Sequence, residues 1–532
     1  MTNSIPEFSA ETQCFLITGS NTTEAHPLVA SHVLEAKERG AKIIVVDPRK
    51  VQISRLADLY LCPRPGTNVA WLNGMMNVII SEGLEDQAFI EKRTEKYEEF
   101  RQVVMEYTPE RVEEISGIPA DDLRAAARMY AQSKPAALLY AMGITQHTSG
   151  TDNVKSCANL AMLTGNVGVA GGGVNPLRGQ NNVQGACDLG ALPNVYPGYQ
   201  NVTLPEMKAK FEEAWGVDDL PDQIGMMVTK MVDGACEGRV HALYVMGENP
   251  MLSDPDVNHV RHCLEQLDFL VVQDIFLTET AQLAYVVLPG TSFAERDGTF
   301  TGTDRRVQRV RKAIEPLYEA KPDWEIICLL ARRMGASGFN FTSPEEVMEE
   351  IARLTPIYGG VSYERLEKEG CLQWPVTTLD HPGTPYLHKA KFSRGLGRFH
   401  AIHFREAAEL PDEQYPFILT TGRLMFHWHT GTMTRRSEKL NQEVPEAYVE
   451  MHPDDAARVG LDGQKRVRIT SRRGEIELGL RLTPRIRPGV VFIPFHFAEA
   501  PANALTHAAL DPDSGIPEYK VCAVRITKAV PI

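Results

Sequence analysis

The chain has 532 residues, 43% of them hydrophobic and 23% charged, more than one ordinary core organises, so two to four domains are expected. Its net charge of −14 excludes a general nucleic-acid or anionic-membrane binder, because both require a basic surface; a local basic pocket for phosphates stays compatible with it. No apolar run is long enough to cross a bilayer, and the opening MTNSIPEFSAETQ has neither the basic nor the apolar region of a secretory signal. The nine cysteines stand singly, without a C-x-x-C pair. That argues against a cysteine-ligated zinc or iron–sulfur site on this chain and fits reduced thiols in a cytoplasmic protein.

In chain order, the first third alternates strand and helix. Cys14–Thr18 reads as a strand, Pro27–Arg39 as a helix with Val29, Val33 and Ala36 on its apolar face, and Lys42–Val46 as a buried strand ending at Asp47. That order implies a parallel sheet with right-handed crossovers. Helices follow over Val69–Glu82, Ala88–Arg93 and Ala120–Gln132, then a strand over Ala136–Met142. The unit recurs with a strand over His241–Met246, a helix over Pro255–Glu265 and a strand over Phe269–Val272. Gly19-Ser20-Asn21 precedes Asp47 by 28 positions, and Gly247-Glu248-Asn249 precedes Asp274 by 27, counted from each glycine.

A polar first turn at a helix N-terminus is where such folds hold phosphate, and an acid after the second strand is where they read a ribose or base. One such unit alone is ordinary sheet architecture. Two with matched turns and acids point to two nucleotide-like sites, although the G-x-G-x-x-G fingerprint of a plain NAD dehydrogenase is absent.

Between Thr342 and Arg405 the chain is rich in Pro, Gly and Tyr and reads as linker and loops. From Tyr415 short strands dominate, over Phe417–Thr421, Ala447–Met451, Arg466–Thr470, Glu475–Leu482 and Gly489–Pro494, which suggests a small β-barrel. HPDDAARVGL contains a short helix for which Asp454 or Asp455 is the expected cap.

Three stretches carry the chemistry. GGGVNPLRGQNNVQGACDLG (171–190) concentrates Gln180, Asn181, Asn182 and Gln184, amides that need partners if buried and that a large polar ligand would satisfy; Arg178 is a fixed cation able to grip a small carboxylate through two parallel bonds. ERDGTFTGTDRRVQRVRKA (295–313) reads as a turn and a charged strand. GRLMFHWHTGTMTRRS (422–437) places His427 and His429 on one face if extended; paired histidines at that spacing bind metal, but an Arg- and aromatic-rich loop gripping phosphates is the favoured reading. No Ser-His-Asp elbow, Walker loop or H-E-x-x-H motif appears, so a cofactor must carry any hard chemistry.

MGITQHTSG, LAMLTGNVGVAGGGVNPLRGQNNVQGACDLG, MGENPMLSD, VVQDIFLTETAQLAYVVLPG, ERDGTFTGTDRRVQ, TTGRLMFHWHTGTMTRR and IPEYKVCAVRI together resemble the catalytic (alpha) subunits of molybdenum- or tungsten-dependent formate dehydrogenases, within the molybdopterin oxidoreductase family. The resemblance runs from the first residues to about Ile526. It implies an α/β fold of two related Rossmann-like parallel-sheet domains and a C-terminal barrel of the double-psi type. The implied divisions are 1–180 and 181–345, each binding one guanine dinucleotide, a linker over 346–410, and a molybdopterin dinucleotide-binding barrel over 411–532.

By the same resemblance, Asn21, Glu24, Asp47, Arg49, Gly66 and Asn68 line one dinucleotide site, and Gly247, Asn249, Ser253, Gln273, Asp274, Asp297 and Asp323 the other. Met142, Gln146, Gln180, Arg423, His427, Asn503, Tyr519 and Lys520 touch pterins or phosphates, and Arg178 orients formate. The implied cofactor is bis-molybdopterin guanine dinucleotide with Mo or W, and the implied reaction is reversible oxidation of formate to CO2. The implied partners are electron-transfer subunits, iron–sulfur or flavin/NAD-linked.

The resemblance also implies what is missing. The family's four-cysteine iron–sulfur domain, and the Cys or selenocysteine followed by His that ligates the metal, precede the segment matched by Met1; no residue here is assigned as a metal ligand. The expectation is a frame restarted after an in-frame UGA selenocysteine codon, or a chain cut there, and inactive alone. The alternatives are a non-catalytic cofactor carrier, or a relative of the nitrate reductase or formylmethanofuran dehydrogenase type.

Overall fold

The computed structural model describes residues 1–529, which divide into two compact units. The first comprises 1–177, 252–259 and the described residues from 386 on; the second comprises 178–251 and 260–385.

In the first unit a five-stranded parallel sheet runs in the order Leu59–Leu61, Lys42–Val46, Cys14–Thr18, Ala136–Tyr140, Val174–Pro176. Strand residues alternate between two cores, as a period of two requires. Cys14 and Leu16 enter a cluster built on the helix Asn68–Ser81, buried from Asn68 to Ile80, while Phe15 and Ile17 pack with Phe8, Val29 and Val33 on the other face. Burial on both faces is why these strands read as unbroken apolar runs. The strand order reverses between Cys14–Thr18 and Ala136–Tyr140, the point at which doubly wound sheets open a crevice. There Gly19 and Gly143 meet backbone to backbone, with the Gly143 N–H donating to the Gly19 carbonyl at 3.0 Å.

The same unit contains a closed six-stranded barrel in the order Phe417–Gly422, Val490–Pro494, Tyr448–Met451, Glu475–Leu482, Arg466–Thr470, Cys522–Lys528. Its last strand was not among those expected from pattern. The short helix over Pro453–Arg458 is capped by His452, whose ring accepts from the Asp454 N–H, and by neither aspartate. Asp455 instead accepts from the Gly489 N–H at 2.6 Å, so its buried carboxylate holds the entry to the strand Val490–Pro494.

In the second unit the strands Ala242–Met246, Phe269–Asp274 and Val286–Pro289 form a parallel sheet, and Gly298–Thr301, Arg306–Val310 and Cys371–Gln373 an antiparallel one. The expected linker over 346–410 is therefore corrected. Residues 344–373 build helices over Pro344–Leu354 and Tyr363–Glu369 and a strand, because Ser343 and Ser362 each cap a helix by accepting an N–H three residues on. Residues 386–410 belong to the first unit. The expectation of wholly reduced thiols is corrected too: Cys236 and Cys263 form a disulfide. Among the described residues no helix is long and apolar enough to cross a membrane.

Candidate functional site

The two G-x-N turns are built alike. Gly19 (φ +55°) and Gly247 (φ +63°) both take the left-handed conformation that favours glycine. Each donates its N–H to the carbonyl just before the acid of the next parallel strand, Gly19 to Val46 at 3.4 Å and Gly247 to Gln273 at 2.8 Å. The acid follows immediately, at Asp47 and at Asp274. The repeat read from spacing is thus a repeat of backbone geometry.

In the first unit, Asn21 follows the turn with its Nδ2 buried and lacking a hydrogen-bond partner among the described residues; Glu24 lies one helical turn on, half-buried. Asp47 accepts from the Arg49 N–H at 3.0 Å, and removal from water pushes its carboxyl up to about 6, against the pull of Arg49 and Lys520. The Arg49 guanidinium is spent differently from expectation. It makes a buried bidentate pair with Glu450 of the barrel (2.7 and 2.8 Å) and lies 3.9 Å over the Phe492 ring. Asn68 is likewise turned inward, its Oδ1 accepting from the Trp71 indole at 3.3 Å, while Gly66 (φ +88°) sits against Val521. Met142 is exposed and Gln146 half-buried at the two ends of the short helix that carries Gly143.

Two expected residues, Asn503 and Tyr519, converge on the carbonyl of a third, Ser253. The Asn503 amide donates to Leu252 and Ser253 carbonyls (2.9 and 3.1 Å), and the Tyr519 hydroxyl donates to the Ser253 carbonyl at 2.8 Å. Beside Tyr519, the Lys520 ammonium donates to the Thr421 carbonyl at 2.8 Å.

Lys520 belongs to a basic group held out of water. Desolvation, joined by the positive charge of Arg423 and opposed by Asp47, brings its ammonium down to about 7. Burial lowers Arg423 to about 10, and its Nη1 is buried with no hydrogen-bond partner among the described residues, the guanidinium lying 4.9 Å from the Trp428 ring. Burial likewise lowers His429 to about 4 and His496 to about 3. Groups depressed this way gain by meeting an anion, so the donor set fits phosphate.

His427 and His429 do not share a strand face. The chain folds back between Leu424 and His427, and His429 has φ +46°, so the period-two argument fails. His427 holds the Val444 carbonyl at 2.8 Å, and the His496 ring bonds both the Leu424 N–H and the His429 carbonyl.

In the second unit, buried Gln273 donates to Asp323 at 2.7 Å and accepts from the Tyr244 hydroxyl; Asp323 also pairs with Arg296. A Cβ at Gly290 would stand 3.0 Å from that Asp323 carboxylate. Asp274 accepts from the Phe276 N–H at 3.1 Å, and buried Asn249 accepts from the Thr280 N–H and hydroxyl. Asp297 is exposed and accepts from the Lys312 N–H at 3.3 Å.

Arg178 opens the amide-rich segment. Its Nε donates to the Gln184 side chain at 3.0 Å and its backbone N–H to the Thr303 hydroxyl at 3.1 Å. Two of the four amides assigned to a ligand find protein partners instead. Gln184 sits between Arg178 and Asp188, and Asn182 accepts from the Thr301 N–H at 2.8 Å. Gln180 is half-buried two residues from Arg178. Glu450, His496 and Asp188 were missed by sequence reasoning. Only Asp188 left a trace, four residues after Gln184 on a helical face.

A nucleotide-type turn repeated in two parallel sheets, with a desolvated basic group beside a closed barrel, defines a dinucleotide-cofactor protein. Residues 1–333 match the family described as Molybdopterin oxidoreductase and residues 417–523 the Molydopterin dinucleotide binding domain. The chain belongs to the molybdopterin oxidoreductase family. Over 531 residues it is 53% identical to F420-dependent formate dehydrogenase 1 subunit alpha of Methanococcus maripaludis, and 51% identical to F420-dependent formate dehydrogenase subunit alpha of Methanocaldococcus jannaschii. Each match covers 99% of this chain and 78% of the relative. Formate dehydrogenase H of Escherichia coli is 42% identical, with 74% of its length covered. Acetylene hydratase from Pelobacter acetylenicus shares the fold, with a TM-score of 0.77 at 23% identity over 99% of this chain and 81% of that chain.

Proposed function

We propose that this chain is the catalytic part of a formate dehydrogenase, taking formate reversibly to CO2, one proton and two electrons. The observation that carries the reading is Arg178, a guanidinium steered through its Nε by a buried amide within the most distinctive segment of the sequence. The identity to named formate dehydrogenase alpha subunits across 99% of the chain supports it. When bound, a molybdenum or tungsten ion on two molybdopterin guanine dinucleotides supplies the redox chemistry.

This chain's residues would do the holding. Asn21 and Asp47 in one unit, and Gln273, Asp274 and Asp323 in the other, offer donors and acceptors at the two G-x-N turns where a guanosine would sit. Lys520 and Arg423 would neutralise phosphate, and Arg178 would pair with the formate carboxylate and with the charge that shifts as its C–H bond breaks. Electrons would leave through partner subunits, in the cytoplasm.

The test is Arg178→Lys in the cofactor-loaded enzyme. Losing the planar fork should raise KM for formate and lower kcat together, by about 10²-fold in kcat/KM. Unchanged formate kinetics would remove the assignment.

A further inference from the structure

Asp188 is fully buried, and its carboxylate is held by neutral donors behind the Gln184 amide that meets Arg178. Its carboxylate accepts three hydrogen bonds of 2.7 Å, from the Gln184 amide, the Tyr199 hydroxyl and the Tyr358 hydroxyl. Gln184 and Asp188 lie one turn apart on the helix Val183–Asp188, so one face presents both. Gln184 then reaches Arg178 with its other end, its Oε1 accepting from the Arg178 Nε at 3.0 Å.

The arrangement has a direction. An amide has a donor end and an acceptor end. Asp188 accepts only, so it selects the Nε2 end of Gln184 and leaves Oε1 for Arg178. The opposite flip would aim Nε2 at the Arg178 N–H and Oε1 at the carboxylate, two repulsive contacts in place of two bonds. A hydrophobic residue at 188 would fill the space but leave Arg178, a donor only, as the single one of the two end groups that selects the flip.

The surroundings hold Asp188 from outside the helix too. The hairpin turn at Pro197–Tyr199 donates the Gly198 N–H to the Asp188 carbonyl at 2.6 Å. Tyr199 itself takes φ +58°, a conformation uncommon for a tyrosine, and so brings its hydroxyl onto the carboxylate. Burial pushes the Asp188 carboxyl up, and the bonds from Gln184 and the tyrosines favour its charged form and oppose part of that shift.

We propose that Asp188 is a positioning residue for formate, acting through a directionally locked Gln184 amide that sets the plane of the Arg178 guanidinium. The inference rests on the reading of Arg178 as the formate-binding group.

The test uses the cofactor-loaded enzyme with the unfolding midpoint measured alongside. Asp188→Asn replaces the acceptor-only carboxylate by a group that can present either end to Gln184, so it loosens the lock at nearly constant shape, and should raise KM for formate about 10-fold, since small misplacements of a binding group cost that much or more. Broadening of the 13C-formate resonance by the protein should fall in parallel, without turnover. The swapped pair Gln184→Glu with Asp188→Asn restores an acceptor towards Arg178 and a donor behind it, and should return KM to within about 3-fold of the parent, the mark of coupled neighbours. Gln184→Leu, which keeps the volume and removes the amide, should reproduce the KM rise and stands in if Asp188→Asn does not fold. An unchanged KM in folded Asp188→Asn or Gln184→Leu, or a swapped pair no better than Asp188→Asn, overturns the positioning role. If Arg178→Lys also leaves formate kinetics intact, the Arg178 assignment has failed first; if only Arg178→Lys impairs them, the positioning claim alone has failed.

Discussion

Replacing Arg49 with alanine separates two roles for a residue that resemblance assigns to a dinucleotide and geometry assigns to the barrel. Arg49 and Glu450 are 8% and 9% exposed at their side chains and share two hydrogen bonds. Removing the guanidinium strands a carboxylate that water barely reaches. Breaking a buried pair from one side costs about 3–5 kcal/mol, most of it the penalty of the orphaned charge. Loss of the cation over the Phe492 ring adds about 1–2 kcal/mol at a desolvated site. The pair also fixes the strand end on which Asp47 accepts the Arg49 N–H, so damage should spread to the turn. Urea unfolding followed by barrel-region hydrogen exchange should show a loss of about 4–7 kcal/mol for Arg49→Ala. Arg49→Met with Glu450→Leu should recover most of it, since no lone charge remains. A loss below about 1 kcal/mol for the single variant, the size of an exposed ion pair, would refute the reasoning. Normal stability with lost cofactor would return Arg49 to the dinucleotide.

Other outcomes follow from the same geometry. Gly143→Ala places a Cβ 2.4 Å from the Gly19 Cα, so it should cost about 1–3 kcal/mol in thermal unfolding, and wild-type stability would show that the close approach is relaxed. Lys520→Met should weaken binding of GDP, used as a dinucleotide fragment, by about 10-fold at pH 6 and by less at pH 9, because the ammonium titrates near about 7. Buried His507 stands 3.4 Å from Glu518, whose carboxylate also holds the Thr148 N–H. Despite burial, its bonds to Cys522 and Glu518 raise it to about 10. Raised above the unfolded value of 6.5, it stabilises fully below that pH, and the contribution is lost as pH climbs to about 10. The stability gap between the parent and His507→Gln should therefore shrink from pH 6.5 to 10, and a constant gap would exclude a charged His507.

Much of this architecture was legible because burial on both sheet faces forces unbroken apolar strands, and because a G-x-N turn has to follow them at a fixed place. The barrel strand Cys522–Lys528 was missed although its residues alternate, since it lies beyond an irregular loop and pairs with strands far away in sequence. The helix Pro344–Leu354 was hidden by the Pro and Gly content around it, while its start, Ser343-Pro344-Glu345-Glu346, carried a capping signal that composition outweighed. His427 and His429 misled because the period-two rule holds only along a strand, and this chain has already turned. Glu450 was beyond reach, since no local pattern names a partner 401 residues away.

The central claim is that two related turns serve two guanine dinucleotides in one formate-oxidising protein. Counting GMP released by acid hydrolysis per polypeptide of the purified, cofactor-loaded protein tests it most directly. Two GMP per chain with one molybdenum or tungsten are expected. One GMP per chain, or none, would contradict it, because the second G-x-N turn would then be architecture without a ligand.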